Sequence, residues 1–164
     1  MTLAIVVSDT SPIRALQHLN LAAVLGKLYG QVYLPEQVAA ELRRPQRRFP
    51  AFDPGGFPFF VVQAVRDRQR LAELRAKRLD DGEIEAILLA LEKSASLILV
   101  DERIGRRVAV ELGLRAVGVL GVLLHAKQQA LIPAIRPLMA RLQNEIDFHL
   151  SAALIEEVLR IADE

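Results

Sequence analysis

Short apolar runs alternate along this chain with stretches of helical spacing, and that alternation restricts the folds open to it. Leu3-Ala4-Ile5-Val6-Val7-Ser8, Gln31-Val32-Tyr33-Leu34, Phe59-Phe60-Val61-Val62, Leu97-Ile98-Leu99-Val100 and Ala116-Val117 each read as a strand. Helices are expected between them, over about 12–20, 21–28, 35–42 and 66–79. A further helix opens near Gly82, with Ile84, Ile87, Leu88 and Leu91 on one stripe. Another runs from just after Asp101 to Leu112, where Gly113 stops it. Two or three helices fill the remainder, the last with Ser151 as its N-cap. Strand–helix alternation predicts an α/β fold with a mostly parallel central sheet and helices on both faces. Residues 43–58, rich in Pro, Gly and Arg, read as a loop.

Composition removes several classes. The 164 residues suit one domain spanning 1–164, with no linker between two cores. There is no cysteine, which excludes a disulfide scaffold and zinc–thiolate sites and fits a reducing cytoplasm. The N-terminal residues lack a basic stretch before an apolar one, so no secretory signal is expected. No apolar stretch is long enough to predict a membrane span. Net charge is only +1, but its distribution is uneven. Between Arg43 and Arg78 ten Lys or Arg face three acids, Asp53, Asp67 and Glu73, a local balance of +7. A clustered basic region suits a polyanion. A solvated helix face with a charged loop is the plainer reading of the same run.

Four acids fall at element boundaries on one predicted edge of the sheet. Asp9 closes the first strand and is followed by Thr10-Ser11-Pro12, the proline suiting a first helical turn. Asp101 closes the strand 97–100. Glu83 lies in the first turn of the helix preceding that strand, and Glu41 lies late in the helix after the second strand, beside the Val38/Leu42 stripe. In open α/β sheets, ligands bind at the carboxyl ends of the strands. Each acid has a structural explanation as well. Asp9 and Asp101 could cap helices, Asp80 or Asp81 could cap with Glu83 completing a capping box, and Glu41 could be a surface residue. Together they would repel unless protonated or bridged by a divalent cation. Oxygen-only ligands point to Mg²⁺ or Mn²⁺. His18, His125 and His149 follow no metal-ligand spacing. A Gly-x-Gly-x-x-Gly fingerprint and a Walker loop are absent. Ser11 stands where an Asp-x-Asp phosphatase needs its second Asp, and no Lys follows a strand end as a receiver domain would require.

The segments Val6-Val7-Ser8-Asp9-Thr10-Ser11-Pro12, Val38-Ala39-Ala40-Glu41-Leu42, Leu79-Asp80-Asp81-Gly82-Glu83-Ile84-Glu85-Ala86-Ile87 and Leu99-Val100-Asp101-Glu102-Arg103 occur in an order that resembles the PIN domain family. The Asp-Gly-Glu-Ile-Glu-Ala and Asp-Glu-Arg-Ile-Gly-Arg-Arg segments resemble a prokaryotic subgroup of it. The resemblance implies a three-layer α/β/α sandwich, with the acidic core within 3–112 and C-terminal helices over 118–162. It implies a metal-dependent ribonuclease using Mg²⁺ or Mn²⁺, often the toxin of a VapBC-type toxin–antitoxin pair and often a homodimer. Asp9, Glu41, Glu83 and Asp101 would be the catalytic, metal-binding set, with Thr10 or Ser11 as the accompanying hydroxyl. Many such nucleases carry Asp at the third position, where this chain has Glu83. Asp81, Glu85 and Glu102 are the neighbouring substitutes. Arg43, Arg44, Arg47, Arg48, Arg75 and Arg78 would hold RNA phosphates without reading sequence. An antitoxin protein would be the partner, filling the acidic cleft with an Arg or Lys. The alternative is a PIN fold with weak or lost catalysis that binds RNA or protein. The apolar segment 117–124 is expected either in the core or on a homodimer surface.

Overall fold

The computed structural model describes residues 4–164. Five strands form one all-parallel sheet: β1 (Val6–Ser8), β2 (Val32–Pro35), β3 (Phe60–Gln63), β4 (Leu97–Leu99) and β5 (Ala116–Val117), in the order β3-β2-β1-β4-β5. Nine α-helices are seen among the described residues: α1 (Thr10–His18), α2 (Ala23–Tyr29), α3 (Glu36–Arg43), α4 (Arg68–Arg75), α5 (Asp81–Glu92), α6 (Arg103–Glu111), α7 (Val119–Gln128), α8 (Arg136–Ile146) and α9 (Ala152–Ile161).

The strands sort their side chains by parity, because successive residues of a strand point to opposite faces. Val6, Val32, Leu34 and Leu99 join one buried cluster with Leu16 of α1, Leu25 of α2, Leu42 of α3, Leu123 of α7 and Leu142 of α8. Val7, Ile98 and Val100 join the other, with Leu74 of α4, Ile87 and Leu88 of α5 and Val108 of α6. The sheet is therefore covered on both faces, and the layers are α/β/α as the strand–helix alternation requires.

β1 occupies the middle of the sheet. The chain winds outward from it through β2 and β3, then returns to lay β4 on its other side, with Val6, Val7 and Ser8 in register with Leu97, Ile98 and Leu99. The direction of winding reverses between β1 and β4. The helices that follow these two strands diverge there and leave a crevice at the carboxyl ends.

Several boundaries differ from the sequence expectation. Leu3, placed in the first strand, lies outside the described residues, and Ile5 precedes β1 although its carbonyl oxygen accepts from the N–H groups of Ser96 and Leu97 at 2.8 and 3.3 Å. The helix expected over 66–79 is only Arg68–Arg75. Leu71 and Leu74 are its two buried residues, and Arg78 with φ +53° turns the chain toward α5. The loop after α3 contains a tight Gln46–Phe49 bridge and a 3₁₀ turn at Pro54–Gly56. Val119, Leu120, Val122 and Leu123 of α7 are buried within the chain, so these four side chains belong to the core, while Gly121 and Leu124 stay half-buried. Among the described residues no helix is long and apolar enough to cross a membrane.

Candidate functional site

A cleft of about 970 Å³ opens at the crevice between the carboxyl ends of β1 and β4. Asp9, Glu41, Glu83 and Asp101 all line it, and so do Asp80 and Glu102. The topology explains the convergence. Asp9 follows β1 directly, Asp101 follows Val100 at the end of β4, and α3 and α5 bring Glu41 and Glu83 to the same edge.

Asp9 stands at the N-cap position of α1, yet its side chain caps no N–H of the helix turn. Its backbone N–H donates to the Leu99 carbonyl oxygen at 2.9 Å, tying the two strand ends together. Asp9 is 4% exposed. Burial pushes its carboxyl up to about 7; the Thr10 N–H opposes the rise, and the charges of Asp80, Glu41 and Asp101 add to it. Among the described residues no cation pairs with it. A cap alone does not account for a buried acid left in this condition.

Glu83 does take part in a capping box. The Asp80 carboxylate accepts from the Glu83 N–H at 2.8 Å, and Glu83 Oε1 accepts from the Asp80 N–H at 3.4 Å. Its other oxygen, Oε2, is fully enclosed with no partner. Burial pushes this carboxyl up to about 8, with the hydrogen bond to Asp80 and the Asp80 and Asp9 charges adding to the rise. Asp101 repeats the arrangement. Its Oδ1 accepts from the Val119 N–H at the start of α7 at 2.9 Å, while Oδ2 is enclosed and unpartnered. Burial raises it to about 6 against the Val119 N–H and the Arg106 charge.

Glu41 is held from two sides. Thr10 donates its hydroxyl to Oε2, and Gln37 Nε2 donates to Oε1 at 3.3 Å. Arg14, one turn after Thr10, donates from Nη2 to the Glu41 carbonyl oxygen at 2.6 Å.

Three glycines give the carboxylates room. A methyl group at Gly82 would stand 2.7 Å from both Glu41 oxygens, one at Gly105 would strike Glu83 Oε2, and one at Gly118 would stand 2.5 Å from Asp101 Oδ1. Real Cβ atoms do not approach so closely, so each glycine is a seat for one acid.

The remaining expected residues divide. Thr10 is buried against Glu41, whereas Ser11 is exposed at the cleft wall. Asp81 pairs outward with Arg75 at 3.6 Å. Glu85 accepts from the Gln37 N–H and does not line the cleft. Of the expected substitutes, only Glu102 lines it. None of Arg43, Arg44, Arg47, Arg48, Arg75 and Arg78 lines the cleft. Arg43 pairs with Asp53, Arg48 with Asp147 and Arg75 with Asp81, so three of the six are already occupied by acids. Asp80, expected only as a helix cap, and Arg14, Arg106 and Phe49, given no site role from sequence, all line the cleft. Asp80 carried a cap signal, but an arginine within an amphipathic helix and a phenylalanine within a basic loop carry none. His149 also lines the cleft; His18 instead binds Glu145 at 2.6 Å, and His125 packs on Tyr29.

Among the described residues no group of three or more acidic or histidine side chains is arranged to hold a metal ion. The donor set nonetheless has the chemistry of one. It offers only oxygen ligands, and two of its oxygens are enclosed and unsatisfied, although Arg106 and Arg14 bring positive charge near Asp101 and Glu41.

A family profile described as a PIN domain matches residues 5–164. No curated protein and no solved structure gives a significant match.

Proposed function

Because the chain belongs to the PIN-domain family, a nuclease fold in general, we propose that it is a metal-dependent ribonuclease that hydrolyses RNA phosphodiester bonds. The observation that carries the reading is the convergence of Asp9, Glu83 and Asp101 at the carboxyl ends of β1 and β4, each raised by burial, with an enclosed and unpartnered oxygen on both Glu83 and Asp101.

Asp9, Glu83 and Asp101 would hold Mg²⁺ or Mn²⁺, with Glu41 beside them. Such an ion lowers the pKa of a bound water and neutralises charge on the attacked phosphate. The chain's own residues prepare the donors. The Asp80 N–H fixes one Glu83 oxygen and the Val119 N–H fixes one Asp101 oxygen, so the free oxygen of each has a set direction. Thr10 and Gln37 do the same for Glu41, and Arg14 anchors the backbone beneath it. Arg106, on the first turns of α6, brings a positive charge to the same wall, where a phosphate would lie.

Cleavage of single-stranded RNA in Mg²⁺ or Mn²⁺ tests the proposal. Asp9→Asn should lose it while folding normally. Full activity in that variant would rule the mechanism out. The finer reading, the toxin of a toxin–antitoxin pair, is tested by co-purification with the product of an adjacent small reading frame. A protein seated in this cleft, with a basic side chain toward Asp9, is the expected antitoxin.

A second reading is favoured by one observation: among the described residues no group of three or more acidic or histidine side chains is arranged to hold an ion. On that reading the chain is a PIN-fold module that binds RNA or protein without cutting. Calorimetric titration with Mn²⁺ separates the two, since only the nuclease requires uptake that depends on Asp9.

A further inference from the structure

We propose that Phe49 is a stacking platform for one unpaired nucleobase, which restricts the cleft to single-stranded substrate; this rests on the ribonuclease reading of the cleft.

The chain has six phenylalanines. Phe52, Phe57, Phe59 and Phe60 pack ring against ring, with centroids 4.5–6.1 Å apart. Phe148 also lines the cleft, but it packs against the core. Phe49 joins neither group. It is half-buried, sits in the basic loop between Arg48 and Pro50, and lines the cleft together with Asp9, Thr10 and Glu41. A large apolar ring so placed has no core to serve.

Its surroundings fix it in position. Gln46 and Phe49 exchange backbone hydrogen bonds at 2.8 and 3.0 Å, closing the loop tip into a tight turn. Arg48 pairs with Asp147 at 2.5 Å, tying the tip to the segment between α8 and α9. The Arg14 guanidinium lies over the ring with its central carbon 5.4 Å from the centroid. Arg14 is 6% exposed, and its Nε and Nη1 are enclosed with no hydrogen-bond partner. A charge enclosed there, with the ring as its neighbour, holds one side of Phe49 by cation–π attraction. The ring is then a rigid surface at the cleft wall. Unpaired bases stack on such rings irrespective of their sequence, whereas a duplex keeps its base faces covered. Arg44 and Arg47, exposed in the same loop though outside the cleft lining, suit phosphates of the strand where it leaves the cleft.

The test is binding of a fluorescein-labelled single-stranded RNA and of the matching duplex, by anisotropy, in EDTA so that neither is cut. Phe49→Leu should weaken single-strand binding by roughly tenfold, leave duplex binding and the salt slope unchanged, and keep the wild-type melting temperature within a few degrees. Phe49→Trp should restore single-strand binding. Equal affinity of wild type and Phe49→Leu for the single strand overturns the proposal, as does equal weakening for both substrates. Absence of any wild-type binding overturns it too. Cleavage by the same proteins in Mg²⁺ reports separately on the ribonuclease reading. Wild type that cuts, with Phe49→Leu binding as tightly, removes the stacking role alone. Wild type that binds through Phe49 but never cuts removes the nuclease reading alone.

Discussion

Asp9 shows what burial does to a single carboxylate. An aspartate that titrates at 3.8 when unfolded and at about 7 in the fold keeps its proton through that window, while the unfolded chain gives it up. The unfolded state thus binds fewer protons, and stability falls as pH rises. Full stability holds below about pH 4 and is lost as pH passes 7, by roughly 4 kcal/mol for this one group. Glu83 and Asp101 act with the same sign. In EDTA, the melting temperature should therefore fall between pH 5 and pH 8, and Asp9→Asn should flatten that slope and melt higher than wild type at pH 8. Mg²⁺ should raise the wild-type melting temperature at pH 8 far more than at pH 5, because only ionised oxygens bind it. A flat profile in EDTA would contradict the buried, unpaired state of these acids. The acids were legible in the sequence because each strand-end carboxylate follows an apolar run. Arg14 and Phe49 were not, because their place in the cleft depends on where the loop after α3 folds back, and no local spacing encodes that.

At the level of the element, Glu41, Glu83 and Asp101 each lean on a helix start or a glycine. Asp80 caps α5 through the Glu83 N–H, so Asp80→Ala should cost about 1 kcal/mol in denaturant unfolding, while Asp80→Asn keeps the cap. Gly105 lies inside α6, where alanine ordinarily stabilises by up to about 1 kcal/mol. Here the new methyl would displace Glu83 Oε2. Gly105→Ala should therefore give a folded protein whose Mn²⁺ affinity, measured by calorimetry, drops about 10- to 100-fold. Unchanged affinity would show that Glu83 takes no part in holding the ion. Helix positions followed from periodicity, and Ser151 caps α9 as its sequence context indicated, accepting from the Leu154 N–H at 3.1 Å. The end of α4 did not follow, since charged residues past Arg75 carry helix propensity but bury nothing. Glu83 also could not be assigned from sequence to the cap or the cleft, and the structure gives Oε1 to the cap and leaves Oε2 enclosed and unpartnered.

For the whole molecule, strand–helix alternation was enough to predict a parallel sheet covered on both faces. The order β3-β2-β1-β4-β5 was not readable, because no local signal states that β4 returns to β1 instead of continuing past β3. That return creates the crevice. Segment 117–124 was equally compatible with a core and with a homodimer surface; Val119, Leu120, Val122 and Leu123 lie in the core, and Val117, Gly121 and Leu124 stay half-buried. Leu123 is 0% exposed, so Leu123→Ala should lower unfolding stability by about 2–5 kcal/mol, at every protein concentration alike. A loss that shrinks as concentration rises would instead place Leu123 between two copies.

The glycine seats have a genetic consequence. A glycine codon is one base from an alanine codon, and at Gly82, Gly105 and Gly118 that base would insert a methyl group against a carboxylate of the site. If expression of the active protein harms its host, survivors selected for silencing mutations should carry changes at these three codons as well as at the acids. The protein recovered from them should be folded and full-length, with every acid of the cleft still in its sequence.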